Sequence, residues 1–279
     1  MKESMSVRLL YGTSIGRSVL KILVNPGISK IAGLFLDSKF SKFLIPIFIK
    51  SNNINIKEAV IPEGGFASFN AFFTRKVKRP VKEVHCDELV SPCDAYLSCI
   101  KIEKDSIFDI KHTRFTVRDL LRDKKLADEF NDGYALIFRL TPAHYHRYCF
   151  SSDGRIVCNR KIKGILHCVR PIATRQIPVF ARNAREYQVI DTKHFGRIVQ
   201  MEIGALMVGK ITNHPKEVPS SVKVMEEKGY FEFGGSTIIL LVQKNRIEFV
   251  HELFKDKNSE GEVSVKQGMV IAKESIGNF

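Results

Sequence analysis

The sequence predicts an α+β protein, mainly β, with a basic helical region at its N-terminal end. Three observations carry that expectation. From about residue 88 onward, short β-branched or aromatic runs recur between Gly, Asp and Asn. In the first fifty residues the apolar positions instead follow helical spacing, among eight Lys or Arg and only Glu3 and Asp37. No long linker, low-complexity tract or repeat separates the two patterns, so the expected organisation is a helical region over 1–60 and a β-rich domain over 61–279.

Taken in order, Val19, Leu20, Ile22 and Leu23 suit an amphipathic helix that stops before Asn25-Pro26-Gly27. Ile31, Leu34, Phe35 and Leu36 suit a short second helix. The apolar run from Phe43 to Ile49 is too short to cross a bilayer and is interrupted by Pro46. Basic amphipathic segments of this kind either lie in the interface of an anionic bilayer or pack on the protein's own core. Both hold at once where a helix has two apolar faces. Strands are expected over Tyr134 to Leu140, Gly154 to Cys158, Ile198 to Ile203, Thr237 to Val242 and Ile247 to Val250. One internal helix is expected from Thr116 to Phe130, capped by Thr116, with Val117, Leu120 and Leu121 on its apolar face.

The chain has 279 residues, enough for a sizeable core, and its 44% hydrophobic and 27% charged content is ordinary for a globular protein. Its net charge of +14 is not ordinary and suits an anionic membrane or an acidic substrate. A solvated basic surface is the plain alternative. No zinc-finger spacing or RNA-binding aromatic signature accompanies the charge, so nucleic acid is not an expected partner. The six cysteines form no Cys-x-x-Cys pair, and the start of the chain has no compact apolar stretch of a secretory signal. They read as reduced and mostly buried in a cytosolic setting.

The stretch Gly229-Tyr230-Phe231-Glu232-Phe233-Gly234-Gly235-Ser236-Thr237 singles itself out. A Gly-Gly-Ser-Thr turn joins an aromatic strand to the apolar run Ile238 to Val242. Gly235 has no Cβ and tolerates strained angles and close approach. Ser236 Oγ is therefore a candidate to attack the Gly235 carbonyl, turning the amide into an ester. β-Elimination from that ester cuts the chain and leaves a pyruvoyl group at residue 236. Taken alone, the same four residues are also an ordinary turn or bulge in a hairpin. A serine needs a base, and the base needs orienting. His144 and His146 flank Tyr145 and share a face if the segment is extended. Asp94, in Ser91-Pro92-Cys93-Asp94, is a candidate orienting carboxylate or else a turn residue.

Other segments join this one in a recognisable order. They are Phe69-Asn70-Ala71-Phe72-Phe73-Thr74-Arg75 with Arg79-Pro80, then Ser91 to Asp94, then Tyr145-His146-Arg147, then Gly204-Ala205 with Val208-Gly209. Together with the Gly-Gly-Ser-Thr turn, they make the chain resemble the phosphatidylserine decarboxylases, self-processing pyruvoyl enzymes. The resemblance implies a core of sandwiched half-barrels like those of lipoyl carriers, with Val265-Lys266-Gln267-Gly268 as a matching hairpin. It implies cleavage at Gly235-Ser236 into a β chain, 1–235, and an α chain, 236–279, that remain together as a heterodimer. It implies Asp94, His146 and Ser236 as catalytic residues, with Ser236 forming the pyruvoyl group. Phosphatidylserine would then join that group as a Schiff base and lose carbon dioxide to give phosphatidylethanolamine. The expected place is the cytoplasmic face of the cell membrane, peripherally bound.

Two departures from the family pattern stand out. Cys149 occupies the position three residues after His146 where a second histidine is common, which makes His144 and Cys149 auxiliary candidates. Cys93 and Ala95 flank Asp94 where Ala and Gly are usual. Two other readings compete with the pyruvoyl one. His144-Tyr145-His146 with Asp94 would make a zinc hydrolase site, although the pyruvoyl reading expects no metal. A non-catalytic, membrane-bound lipoyl-like module would use the Gly-Gly-Ser-Thr segment only as a turn.

Overall fold

The computed structural model describes residues 13, 26–79, 83–103, 108–110, 113–165, 179–205, 210–233 and 236–275. The segment around Val19 to Leu23, together with Pro80, Cys168, Val208, Gly209, Gly234 and Gly235, lies outside them.

The body is built on an eight-stranded antiparallel sheet in the order β11-β7-β8-β9-β13-β5-β2-β15. Its strands are β2 (Ala95–Lys101), β5 (Tyr134–Leu140), β7 (Gly154–Ile162), β8 (Arg185–Asp191), β9 (Arg197–Ile203), β11 (Ser220–Val222), β13 (Ser236–Val242) and β15 (Val263–Val265). Central β13 is buried at every position. Ile239 and Leu241 point to one apolar cluster, and Ile238, Leu240 and Val242 to another. That double burial is why the strand reads as an unbroken apolar run rather than an alternating one.

Short helices cover the first face: α4 (Val117–Leu121), α5 (Lys124–Asp128) and α6 (Val179–Arg182). The expected single helix from Thr116 to Phe130 is thus two. Thr116 and Asp119 form a capping box at its start, as Thr116 led us to expect of a cap. Arg122 then turns left-handed at φ 49°, and the Asp123 carboxylate accepts the Leu126 N–H to start α5. A local cap outcompetes the continuing apolar spacing. Two three-stranded sheets cover the other face. One has the order β1-β16-β14 and comprises β1 (Glu88–Val90), β14 (Ile247–Phe249) and β16 (Val270–Glu274). The other has the order β10-β12-β6 and comprises β6 (Arg147–Cys149), β10 (Ile211–Asn213) and β12 (Glu227–Phe231). A Cβ on Gly229 would stand 2.3 Å from the Thr212 carbonyl oxygen, so glycine is what lets β10 close on β12. A separate hairpin pairs β3 (Phe108–Ile110) with β4 (Thr113–Phe115).

The strand expectations for the large sheet hold, with β7 running on to Ile162. The aromatic strand and the β-branched strand either side of Gly-Gly-Ser-Thr do not form a hairpin. β12 belongs to a small sheet and β13 to the large one. The chain crosses between sheets there, and of its several other crossings three bear on the same region: 91–94 from β1 to β2, 141–146 from β5 to β6, and 266–269 from β15 to β16. The crossings run in antiparallel pairs. Ser236 pairs with Leu140 on one side of the first pair, and the Phe231 N–H donates to His146 O on the other. Val265 pairs with Ala95 and Val90 with Val270 in the second. Gly268, at φ +81°, makes the tight turn of the last crossing.

At the N-terminal end lie α1 (Pro26–Asp37), a 3-10 turn at Lys39–Phe43, and α2 (Leu44–Asn52). Pro46 sits in the first turn of α2, where its missing N–H has no intrahelical carbonyl to lose. It therefore does not interrupt the helix as the sequence suggested. Leu36, Leu44, Ile45, Phe48 and Ile49 face inward onto α3 (Phe69–Phe73). Ile31, Leu34, Phe35, Phe40, Phe43 and Ile47 face outward and are exposed. Among the described residues no helix is long and apolar enough to cross a membrane.

Candidate active site

Each of the four crossings contributes one part of the candidate site. Ser236 opens β13, fully buried, and among the described residues its hydroxyl has no hydrogen-bond partner. His146 ends the crossing alongside it, also fully buried, and among the described residues neither ring nitrogen has a partner of good hydrogen-bond geometry, the His144 backbone offering only a weaker contact. Leaving a buried donor or acceptor unpaired costs about 1–3 kcal/mol. Strained or unpaired polar groups at one place are what a reactive site displays. His146 stacks on Phe73 of α3 at 4.1 Å between ring centres. Burial, reinforced by His144 and Arg75, pushes its pKa down to about 3, so the ring is neutral near pH 7.

His144 is half-buried and sits in a bend rather than an extended run. Its Nδ1 accepts the Thr141 N–H at 3.1 Å, so the neutral ring carries its proton on Nε2. Burial pushes its pKa down to about 4 against the opposing pull of the Asp94 charge.

Asp94 lies on the 91–94 crossing, 2% exposed. Arg79 grips both its oxygens at 2.7 and 2.6 Å. Lys266 Nζ and the Gln267 N–H approach from the 266–269 crossing at 3.1 and 3.0 Å. Burial alone would raise this carboxyl, but the hydrogen bonds and charge of Arg79, helped by Gln267 and Lys266, hold it below its ordinary range. The hydrogen bond that an orienting carboxylate would accept from a His146 ring N–H is therefore not made. Asp94 is saturated by cationic and backbone donors and reaches the two imidazoles only as a nearby negative charge. That saturation also removes it as the third ligand of a His-x-His metal site. Among the described residues no three His, Cys, Asp or Glu side chains are grouped to hold a metal ion.

Cys149 is a packing residue. Its Sγ lies 3.4 Å from Pro92 O and 3.6 Å from Met225 Sδ, and burial pushes its thiol up to about 12. It thus carries no reactive thiolate near neutral pH. The sequence reading missed the partners of Asp94, although Arg79 stood in a quoted motif. It also assigned no task to Gln267, whose side-chain amide donates to Pro92 O and Arg147 O and so ties two crossings together. The aromatic segment on α3 has a task as well: Phe69 and Phe73 pack edge-on against Phe233, at 5.0 and 5.2 Å.

The sequence profile of one family, described as phosphatidylserine decarboxylase, matches residues 69–273. That span includes every crossing and every residue of the candidate site. Phosphatidylserine decarboxylase proenzyme 2 of Clostridium acetobutylicum is 39% identical over 270 residues, covering 96% of this chain and 91% of its own length. The proenzyme of Ruminiclostridium cellulolyticum is 38% identical over 276 residues, covering 96% and 89%. That of Clostridium tetani is 36% identical over 250 residues, covering 88% and 84%.

Proposed function

Because the chain belongs to the phosphatidylserine decarboxylase family, we propose that it converts phosphatidylserine to phosphatidylethanolamine and carbon dioxide with a pyruvoyl group made from its own Ser236. Relatives named as proenzymes support a chain that is processed before it works. The observation that carries the site is the Ser236 hydroxyl, buried and, among the described residues, unpartnered at the chain crossing beside a His146 that likewise lacks a well-formed hydrogen bond. A serine in that state fits a residue that is consumed rather than one that holds the fold.

In this reading neutral His146 takes the Ser236 Oγ proton, and Oγ attacks the Gly235 carbonyl carbon. The amide C–N bond breaks, its nitrogen takes the proton, and an ester forms. Loss of the Ser236 α-proton then expels the Gly235 carboxylate from Cβ. The enamine left on residue 236 takes up one water and releases ammonia, leaving a keto group at the head of fragment 236–279. That group supplies an electron sink for the pair left when the substrate carboxylate departs. Asp94, ionised through Arg79 and Lys266, supplies negative charge near the imidazolium that forms on His146. Fragment 236–279 stays with 1–235 because β13 lies between β5 and β9, apolar on both faces. The four crossings between a large sheet and small ones support a lipoyl-like pair of half-barrels over 61–279.

The N-terminal region, 1–60, is the membrane-associating part in this reading. Its exposed Ile31, Leu34, Phe35, Phe40, Phe43 and Ile47 stand among exposed Lys39, Lys42 and Lys50. That combination suits the anionic inner leaflet, met peripherally from the cytoplasmic face. Denaturing electrophoresis tests the chemistry: the wild-type protein runs as two fragments, and Ser236→Ala as one uncut, inactive chain. An active Ser236→Ala protein sinks the assignment.

A further inference from the structure

Asn70, in the aromatic segment of α3, joins two parts of the molecule through one side chain. Its Oδ1 accepts the Phe233 N–H at 3.3 Å, three residues before Ser236. Its Nδ2 donates to Asp37 Oδ1 at 2.9 Å, at the last residue of α1. The amide orientation follows from the partners, since a backbone N–H only donates and a carboxylate only accepts. Asn70 is 4% exposed, and its carbonyl is held in turn by the Thr74 N–H and hydroxyl at 2.9 and 2.8 Å. Asp37 closes α1 at the end where the helix dipole disfavours a carboxylate, so helix stability does not explain its place. Phe48 of α2 meets the Phe233 ring edge-on at 5.7 Å, so the same two parts are also in apolar contact. Of the two links, only the amide has direction.

We propose that Asn70 is a positioning residue through which the N-terminal helices, once docked on anionic lipid, align the Phe233–Ser236 segment for self-cleavage. The proposal rests on the processing reading above. Its physical basis is that the backbone leading to a reacting bond needs to be held in one orientation. A misplacement of about 1 Å in a reacting geometry costs on the order of 100-fold in rate. Here the Phe233 N–H is fixed by a side chain whose other end answers to the lipid-facing helix.

The test follows cleavage of freshly synthesised full-length chain by gel, with and without phosphatidylglycerol vesicles. The variants are Asn70→Ala, Asn70→Asp, and the double exchange Asp37→Asn with Asn70→Asp. The wild type is expected to cleave faster on vesicles. Asn70→Ala is expected to cleave roughly 10–100-fold more slowly there. Asn70→Asp keeps the acceptor for Phe233 but sets a carboxylate against Asp37, and it is expected to lose the vesicle acceleration. The double exchange restores a donor at position 37 and an acceptor at position 70, and it is expected to recover to within about threefold of wild type. A merely structural role would slow cleavage by the same factor with and without vesicles, whereas the positioning role removes the vesicle acceleration. Equal wild-type rates with and without vesicles, wild-type cleavage by Asn70→Ala, or a double exchange no faster than Asn70→Asp each overturn the proposal. A wild-type chain that never cleaves overturns the processing reading instead, so the two failures are told apart.

Discussion

The large sheet and the N-terminal helices are made of the same apolar residue types and use them in opposite ways. In β13 every side chain from Ile238 to Val242 is fully buried, and successive residues feed two different clusters. In α1, the 3-10 turn and α2, one apolar set packs on α3 while another faces outward, with Phe40 83% and Ile31 69% exposed. Central β13 buries both its faces within the protein, whereas the helices leave one apolar face exposed. Exposed Lys39, Lys42 and Lys50 stand in the same segment as these outward apolar side chains. The fold thus separates the sheet that carries Ser236 from helices with an outward apolar face, and α3 stands between them.

The contrast breaks most sharply at the sheet's buried ion pair. Lys228 and Glu202 are both fully buried and hydrogen-bonded, with Asn213 Oδ1 at 3.2 Å from Lys228 Nζ. Burial lowers the Lys228 pKa and raises that of Glu202, against their mutual attraction. Lys228→Met removes one partner and leaves a buried carboxylate, and it is expected to destabilise the body by about 3–5 kcal/mol. Urea unfolding in the uncut Ser236→Ala background measures this without a second chain.

A smaller effect follows from His146. Its pKa in the folded chain, about 3, lies below the ordinary 6.5. The unfolded chain therefore binds the proton first, so stability is full above pH 6.5 and falls as pH drops toward 3. By pH 5 the loss from this ring is about 2 kcal/mol. Asp94, held below its ordinary range, adds a loss only at more acid pH, as it falls through the folded-state value. Unfolding curves from pH 8 to 4, with His146→Gln for comparison, read the slope. Self-cleavage should meanwhile stay level between pH 8 and 5, since the base remains neutral. A cleavage rate that halves near pH 6.5 would mean that the ring titrates as an exposed histidine does.

The smallest stability effect is expected at the outward face. Phe40→Ser should change folding stability by no more than about 0.5 kcal/mol. The same change should weaken binding to phosphatidylglycerol vesicles by about tenfold, the worth of burying a phenyl ring only partly. Added salt should weaken wild-type binding too, with screening over roughly 10 Å at 0.1 M. If Phe40→Ser unfolds the protein while leaving vesicle binding intact, the division between inward and outward faces is wrong.

What was legible in advance follows the range of the forces involved. Strand β5 is read from Tyr134 to Leu140 by its β-branched and aromatic content, and β13 by its apolar run. The Thr116 cap is read because a cap needs only the next three residues. The Ser236, His146 and Asp94 candidates could be named because their motifs are local, and each lies on a crossing between sheets. The break at Arg122 was hidden by apolar spacing that continues across it.

What only the tertiary structure decided concerns groups far apart along the chain. Arg79 meets Asp94 across 15 residues, and Lys266 meets it across 172. Asn70 meets Phe233 across 163. No periodicity or turn signal encodes such meetings, because they depend on four crossings between sheets arriving at one place. Hydrogen bonds and ion pairs act over about 3 Å, so a shift of one residue in strand register would separate them. The sequence by itself determined the local elements and the reactive residue types. Packing of the sheets determined which charges surround Asp94, that His146 is buried without a well-formed hydrogen bond among the described residues, and that one asparagine ties the outward-facing helices to Phe233.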